Sequence, residues 1–427
     1  MALNATSNDP SRPLRVIFTV YGYKPAYRNG GPIYSVSALA EGLVRAGHDV
    51  NVLTTNCNLD RVLDVPLSQA ITINGVTVWY FPRMQFLPNS FPGAGYFSRS
   101  IGYLYCPQMA LELSRQLPAA DLVHSHLPFV YPTYIAAKSA KRLSRPHFYH
   151  QRGVLDPERL QFRGLKKQLY LKFFERPILR DATTLIALTD AEVASYRAQH
   201  VTSPIATIPN GVDPELFQTQ CDPSWEEQEN IDPTSVVILF LGRLHPVKGA
   251  DQALEAFQLI SKGHPNAVIF FAGPDEFGLE QKLSQQALDA GLANRIRFCG
   301  MVEGRTKTNL LARADLFCLP SLAEGFSISV LEALASETAV LLSPGCHFAE
   351  VEVAGAGKVV TRNALALSVA FDEMLRKGRD GLRQMGRRGR ELVMTRYSWD
   401  TIVTAMIDTY RDGIERYAHQ RTCRGQR

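Results

Sequence analysis

The sequence predicts an α/β protein made of two Rossmann-like, doubly wound domains. Two observations predict it. Short apolar, β-branched runs of strand length alternate with helical patterns along almost the whole chain. A polar stretch with little periodicity, residues 218–235, breaks that alternation into two series. With 427 residues, each half is long enough to bury a core of its own.

The first series opens with the strand-like run 14–20, a helical pattern over 34–46, a stop at Gly47-His48 and a second strand over 49–55. Further strand-like runs lie at 76–81, 122–124, 147–150, 184–188 and 206–208. Residues 81–107 carry aromatics with Pro88, Pro92, Gly93 and Gly95, and read as an irregular loop with a binding role. Pro209-Asn210-Gly211-Val212-Asp213-Pro214 is a turn cluster. The boundary is placed at the polar stretch 218–235 that follows it, with the domains taken as 1–212 and 213–398. In the second series, strands are expected at 236–241, 267–272, 296–299, 316–319 and 339–343. Helices are expected at 250–260, 279–291, 306–314 and 327–335, and a last one from 399 to 417 before a disordered basic tail over 421–427. Doubly wound sheets bind ligands at the carboxyl ends of their strands, so the two halves are expected to face each other across a cleft.

The bulk properties narrow the function. A net charge of +5 suits phosphate-bearing ligands or an anionic membrane. No concentrated basic stripe or recognisable module argues for nucleic acid. The seven cysteines are odd in number, scattered and without C-x-x-C, which argues against a disulfide framework or a zinc site and for a reducing compartment. Cys299 and Cys318 read as small core residues. The polar residues 1–12 show no secretory pattern and no apolar run is long enough to cross a bilayer, so a cytoplasmic location is expected.

Three motifs carry chemistry. In Glu324-Gly325-Phe326-Ser327-Ile328-Ser329-Val330-Leu331-Glu332, helical spacing starts near Ser327, which puts the Ser327 and Ile328 amides at a helix N-terminus suited to a diphosphate. Glu324 would accept sugar hydroxyls there and Glu332 ribose hydroxyls; a capped amphipathic helix fits the same residues. In Gly242-Arg243-Leu244-His245-Pro246-Val247-Lys248-Gly249, Arg243 offers a bidentate diphosphate contact and Lys248 a point charge. A solvated turn is the plain alternative. Asn29-Gly30-Gly31-Pro32 follows the first strand, where glycine lets the backbone approach a ligand or simply turn.

These motifs, with Pro209-Asn210-Gly211-Val212-Asp213 and Gly47-His48-Asp49-Val50, stand in the order found in retaining GT-B glycosyltransferases, and the sequence resembles the large GT4 group over roughly residues 14–399. Arg152-Gly153-Val154-Leu155-Asp156-Pro157 and Ser343-Pro344-Gly345-Cys346 look like members that build bacterial surface polysaccharides. The resemblance implies that Arg243 and Lys248 hold the donor diphosphate, Glu324 the transferring sugar and Glu332 the ribose. It implies that Gly325, Phe326 and Ser327 touch sugar and phosphate through their amides, that Gly300-Met301 faces the base, and that Gly30 and Gly31 border donor phosphates and acceptor. Retention of anomeric configuration is implied, with no metal and no cofactor, and the absence of any D-x-D agrees. It also implies that the last helix, 399–420, crosses back to the first domain.

The chain departs from the family pattern where many members carry a functional histidine. Arg152 stands nearest that position and is expected to contact the donor, with His150 as second choice or as a structural residue. His124 and His126 read as structural or at the acceptor rim. Residues 161–180 combine Arg163, Lys166, Lys167, Lys172, Arg176 and Arg180 with Leu165, Leu169, Phe173 and Phe174. A solvated helix with a core-facing stripe is favoured over one resting on an anionic membrane. The expected reaction moves a hexose-type sugar from a nucleotide-sugar to a saccharide or lipid-linked saccharide. A small soluble glycoside as product, a nucleotide-sugar 2-epimerase, or a non-catalytic nucleotide-sugar binding partner are the alternatives.

Overall fold

The computed structural model describes residues 12–58, 61–83, 105–156, 168–217, 220–275 and 277–425. Most of the expected binding loop, the basic residues at 163, 166 and 167, and the N-terminal residues therefore lie outside the described residues. The chain forms two compact units: Met1–Ile208 with Ile402–Arg427, and Pro209–Thr401.

The first unit is built on an eight-stranded sheet. Its strands are β1 (Arg15–Thr19), β2 (Asp49–Thr55), β5 (Ala70–Ile73), β6 (Val76–Phe81), β7 (Leu122–His126), β8 (His147–His150), β9 (Thr184–Ala187) and β10 (Ile205–Thr207), while β3 (Cys57–Asn58) and β4 (Arg61–Val62) pair separately. The order is β10-β9-β8-β7-β1-β2-β6-β5, parallel except where β5 returns antiparallel to β6. Helix coverage on both faces explains why β1, β8 and β9 are almost wholly buried. The helix Gly31–Arg45 starts earlier than its periodicity suggests, because Gly30 takes φ +84° ahead of Pro32 and lets the chain turn at once.

The final helix, Trp399–Gly425, packs closely on this sheet. A Cβ on Gly413 would stand 2.4 Å from Phe148, and one on Gly42 would stand 2.5 Å from Val403. The basic tail expected from residue 421 is helical through 425 instead. In that last stretch the Arg421 side chain donates to the Ser144 carbonyl and the Thr422 hydroxyl to the Ala418 carbonyl.

The stretch 168–181 also differs from expectation. Leu171, Ile178 and Leu179 face the core, whereas Leu169, Phe173 and Phe174 of the anticipated core-facing stripe are exposed; Leu165 lies outside the described residues. A π-helical turn over Leu171–Glu175 shifts the face that this segment buries. That turn also buries Glu175, which accepts from the Tyr149 hydroxyl at 2.6 Å and the Phe129 amide at 3.1 Å. Burial raises its carboxyl to about 7, against the lowering pull of both hydrogen bonds. Between the ordinary carboxylate range and that value the folded protein holds a proton that the unfolded chain has lost. Stability from this group is therefore full at low pH and lost as pH rises toward neutrality. Glu175→Gln is expected to flatten that slope by about 1–3 kcal/mol, measured as melting temperature against pH.

The second unit has a six-stranded, all-parallel sheet of β11 (Val236–Leu241), β12 (Ala267–Ala272), β13 (Ile296–Gly300), β14 (Leu316–Leu319), β15 (Ala339–Leu342) and β16 (Gly357–Val359), in the order β13-β12-β11-β14-β15-β16. Its central strands are continuous apolar runs, as sheets covered on both faces require. Cys318 is buried in β14 as expected. Cys299 is exposed instead, because β13 forms the edge of the sheet. Among the described residues, no helix is long and apolar enough to cross a membrane.

Candidate active site

In the second unit the motifs meet at the carboxyl ends of neighbouring strands. The loop after β11 carries Arg243 and Lys248, and the loop after β14 carries Glu324, Gly325 and Phe326. Close backbone contact locks these loops together. Leu322 donates its amide to the Val247 carbonyl at 2.7 Å, and the Ser321 hydroxyl donates to the same carbonyl at 3.1 Å. Gly249 has φ +79°, and a Cβ there would lie 2.3 Å from the Pro320 carbonyl oxygen. Only glycine allows that approach.

The lock brings Lys248 Nζ to 2.5 Å from Glu324 Oε1, with only 18% and 7% of the two side chains exposed. The Glu324 amide in turn donates to the Gly345 carbonyl at 2.8 Å. A Cβ on Gly345 would collide with the Leu322 carbonyl at 2.2 Å. The Ser343-Pro344-Gly345-Cys346 turn after β15 thus supports the glutamate from behind. Arg243 is exposed at the mouth of the first loop.

Ser327 is the N-cap residue of the helix Ile328–Ala335, and its hydroxyl pairs with Ser329 and not with the helix amides. The first amides of that helix, from Ile328 onward, have no intrahelical acceptor. Phe326 is buried against Phe348 and Tyr397, and its carbonyl accepts from Asn210 Nδ2 at 2.9 Å. The Pro209-Asn210-Gly211 turn therefore holds the loop that precedes the helix. Glu332 lies within the helix, largely buried, and its Oε1 meets Lys307 Nζ at 2.6 Å. Burial raises its carboxyl above the usual range, opposed by Lys307. Lys307 was invisible to sequence reasoning: no periodicity links it to a residue 25 positions away. Gly300 ends β13 with φ +60°, Met301 beyond it is half exposed, and the Gly300 carbonyl accepts from the Gly273 amide at 2.6 Å.

The first unit gathers another polar group at the carboxyl ends of β7 and β8. Arg152 has φ +52° and is buried, and its pKa is lowered to about 10 by burial, so it is cationic at neutral pH. Its Nη1 donates to the Ser35 hydroxyl at 2.7 Å, in the first turns of the helix that Gly30 and Gly31 open. Its Nε donates to His126 Nδ1 at 3.3 Å, which places the proton of a neutral His126 on Nε2. Burial holds His124, His126 and His150 well below the ordinary imidazole range, so all three are neutral. His124 Nδ1 meets the Tyr410 hydroxyl of the final helix at 2.6 Å. His150 is buried, and among the described residues neither ring nitrogen has a hydrogen-bond partner.

Sequence reasoning gave Arg152 but missed its partners Ser35 and His126. The available signal was His124-Ser125-His126, polar residues that here continue β7 where an end was expected at 124. Chemically, the second unit presents a helix N-terminus, three cations (Arg243, Lys248 and Lys307) and two carboxylates (Glu324 and Glu332). The first presents a buried arginine fixed between a serine and a neutral histidine.

Residues 30–211 match the family described as glycosyl transferase 4-like domain, and residues 222–392 match glycosyl transferases group 1. An uncharacterised glycosyltransferase of Methanocaldococcus jannaschii is 25% identical, covering 94% of this chain and 99% of that protein. A D-inositol 3-phosphate glycosyltransferase of Saccharomonospora viridis is 24% identical over 90% of each. Among solved structures, Anabaena HepE in complex with UDP and glucose superposes with a TM-score of 0.70 at 18% identity, covering 93% of this chain and 99% of that one. The chain belongs to the GT4-type glycosyltransferases and has the GT-B fold.

Proposed function

We propose that the protein transfers a hexose-type sugar from a nucleotide-sugar to a saccharide or lipid-linked saccharide acceptor, with retention of anomeric configuration, in glycan or polysaccharide biosynthesis. The buried Lys248–Glu324 pair beside the N-terminus of the Ile328–Ala335 helix carries this reading. Arg243 and Lys248 take the donor diphosphate together with the amides of Ser327 and Ile328, a natural anion site. Charge grows on the leaving diphosphate as the sugar departs, and cations held in place stabilise it without reorganisation. Glu324, already fixed by Lys248 and by Gly345, receives sugar hydroxyls beside the Gly325 and Phe326 amides. Glu332 receives the ribose hydroxyls, and Gly300-Met301 receives the base.

In the first unit, Arg152 contacts the donor, with His126 and Ser35 fixing it, and Gly30 and Gly31 leave the backbone open to substrate. His150, the second choice, is the weaker candidate because Arg152 already has a built setting. Cationic side chains supply the charge stabilisation, so the reading calls for no resident metal or cofactor. The solved HepE complex with UDP and glucose supports a nucleotide-sugar donor. The exposed Leu169, Phe173 and Phe174 beside Lys172 support peripheral contact with an anionic membrane, where a lipid-linked acceptor would be found.

The direct test is turnover of α-linked UDP-, GDP- and ADP-sugars with candidate saccharide acceptors, the product read by proton NMR. One donor is expected to be consumed and the product to show an α anomeric coupling. A β-linked product would remove retention from the reading, and an epimerised donor formed without acceptor would replace transfer altogether.

A further inference from the structure

The three histidines at the ends of β7 and β8 have a feature that sugar transfer does not use. One nitrogen from each of His124, His126 and His150 lies within 4.8 Å of the others, and all three rings are fully buried. Among the described residues, His124 Nε2, His126 Nε2 and both nitrogens of His150 have no hydrogen-bond partner. A buried polar atom is costly unless something satisfies it. Several orphaned nitrogens converging on one point therefore ask for a common ligand. We propose that His124, His126 and His150 form a binding site for a single transition-metal dication, of which zinc, copper and nickel are the ions that imidazole favours.

The geometry supports this in three ways. The ligands come from two adjacent, hydrogen-bonded strands, with His126 paired to His150 in register, so the backbone already fixes their spacing. A tetrahedral ion with nitrogen ligands at about 2.0–2.1 Å leaves a fourth position open. The Tyr410 hydroxyl at His124 Nδ1 is the kind of outer partner that orients a ligating imidazole.

Arg152 sets the affinity. Its guanidinium donates to His126 Nδ1, and among the described residues no carboxylate joins the trio itself, the buried Glu192 acting on Arg152 instead. Ion and arginine therefore compete: coordination by His126 gives up either the Arg152 hydrogen bond or the Nε2 proton. If Arg152 serves transfer as proposed above, a bound ion lowers turnover. That consequence rests on the functional reading, and the binding itself does not.

The test uses the full chain without an affinity tag. Zinc binding is measured by calorimetry and by metal analysis after dialysis, and the ligand shell of bound zinc by X-ray absorption. One equivalent of zinc with three imidazole ligands is expected. His150→Gln and His126→Gln are each expected to weaken binding by more than about 100-fold, since loss of an outer-shell partner alone costs about 10–100-fold. Their circular dichroism and melting curves check that they are folded. Arg152→Gln is expected to tighten binding by about tenfold or more, because it removes a like charge from a poorly screened site. No binding, binding indifferent to His126 and His150 in folded variants, or weaker binding in Arg152→Gln would each overturn the proposal.

Discussion

Lys248→Met is expected to reduce turnover by about 10²–10³, the usual cost of removing one preorganised contact to developing charge. Stability is expected to fall as well. Lys248 and Glu324 are almost buried as an ion pair at 2.5 Å, and taking away one partner leaves the other charge uncompensated. Breaking a buried pair in this way costs about 3–5 kcal/mol. Turnover alone would therefore confuse lost chemistry with lost fold. The double variant Lys248→Met with Glu324→Gln separates them, because it removes both charges together. Its melting temperature is expected to recover most of what the single lysine variant loses, while its turnover remains low. Coupling of this kind is what a double-mutant cycle measures. Recovery of turnover along with stability would mean that the pair only holds the loops together.

Gly249→Ala is expected to be nearly as damaging although it touches no charged group. The residue sits at φ +79°, where a side chain costs about 1–2 kcal/mol. Its Cβ would also stand 2.3 Å from the Pro320 carbonyl oxygen, a backbone atom with little freedom to yield. The loop carrying Lys248 must then separate from the loop leading to Glu324. Turnover is expected to fall by more than about tenfold, together with a lower melting temperature. Gly30→Ala is the control for strain alone, since Gly30 has φ +84° but a Cβ there would meet nothing within 4 Å. Equal melting temperatures for the two variants would show that the close approach at Gly249 does not matter.

The fold was legible wherever a strand is an apolar run. Val236–Leu241, Ala267–Ala272 and Leu316–Leu319 are buried on both faces, so composition alone marks them. The edge strand Ala70–Ile73 was missed because half of its residues face solvent and its sequence carries no run of that kind. The far end of β7 was missed for the opposite reason: Ser125 and His126 are polar yet buried, and only the folded chain supplies His147 and Arg152 to meet them.

The candidate site divides along the same line. Residues that belong to one local turn, such as Arg243 to Gly249 or Glu324 to Glu332, could be read from spacing. Their partners could not. Lys307 for Glu332, Gly345 for the Glu324 amide and Ser35 for Arg152 are contacts across long stretches of chain, set by sheet order and not by sequence interval. Cys299 shows the limit of composition: its apolar neighbours suggest a core position, and only the place of β13 at the sheet edge exposes it.

The most direct test of the central claim is a thermal-shift titration with UDP, GDP, ADP and their common sugar conjugates, repeated on Arg243→Ala. A ligand present at about 100 times its dissociation constant stabilises the folded state by roughly 2.7 kcal/mol. The expected result is a clear rise in melting temperature with one nucleotide and its sugar conjugate, lost or strongly weakened in the variant. No response to any nucleotide, or a response unchanged in Arg243→Ala, would contradict a donor site built on the loops after β11 and β14.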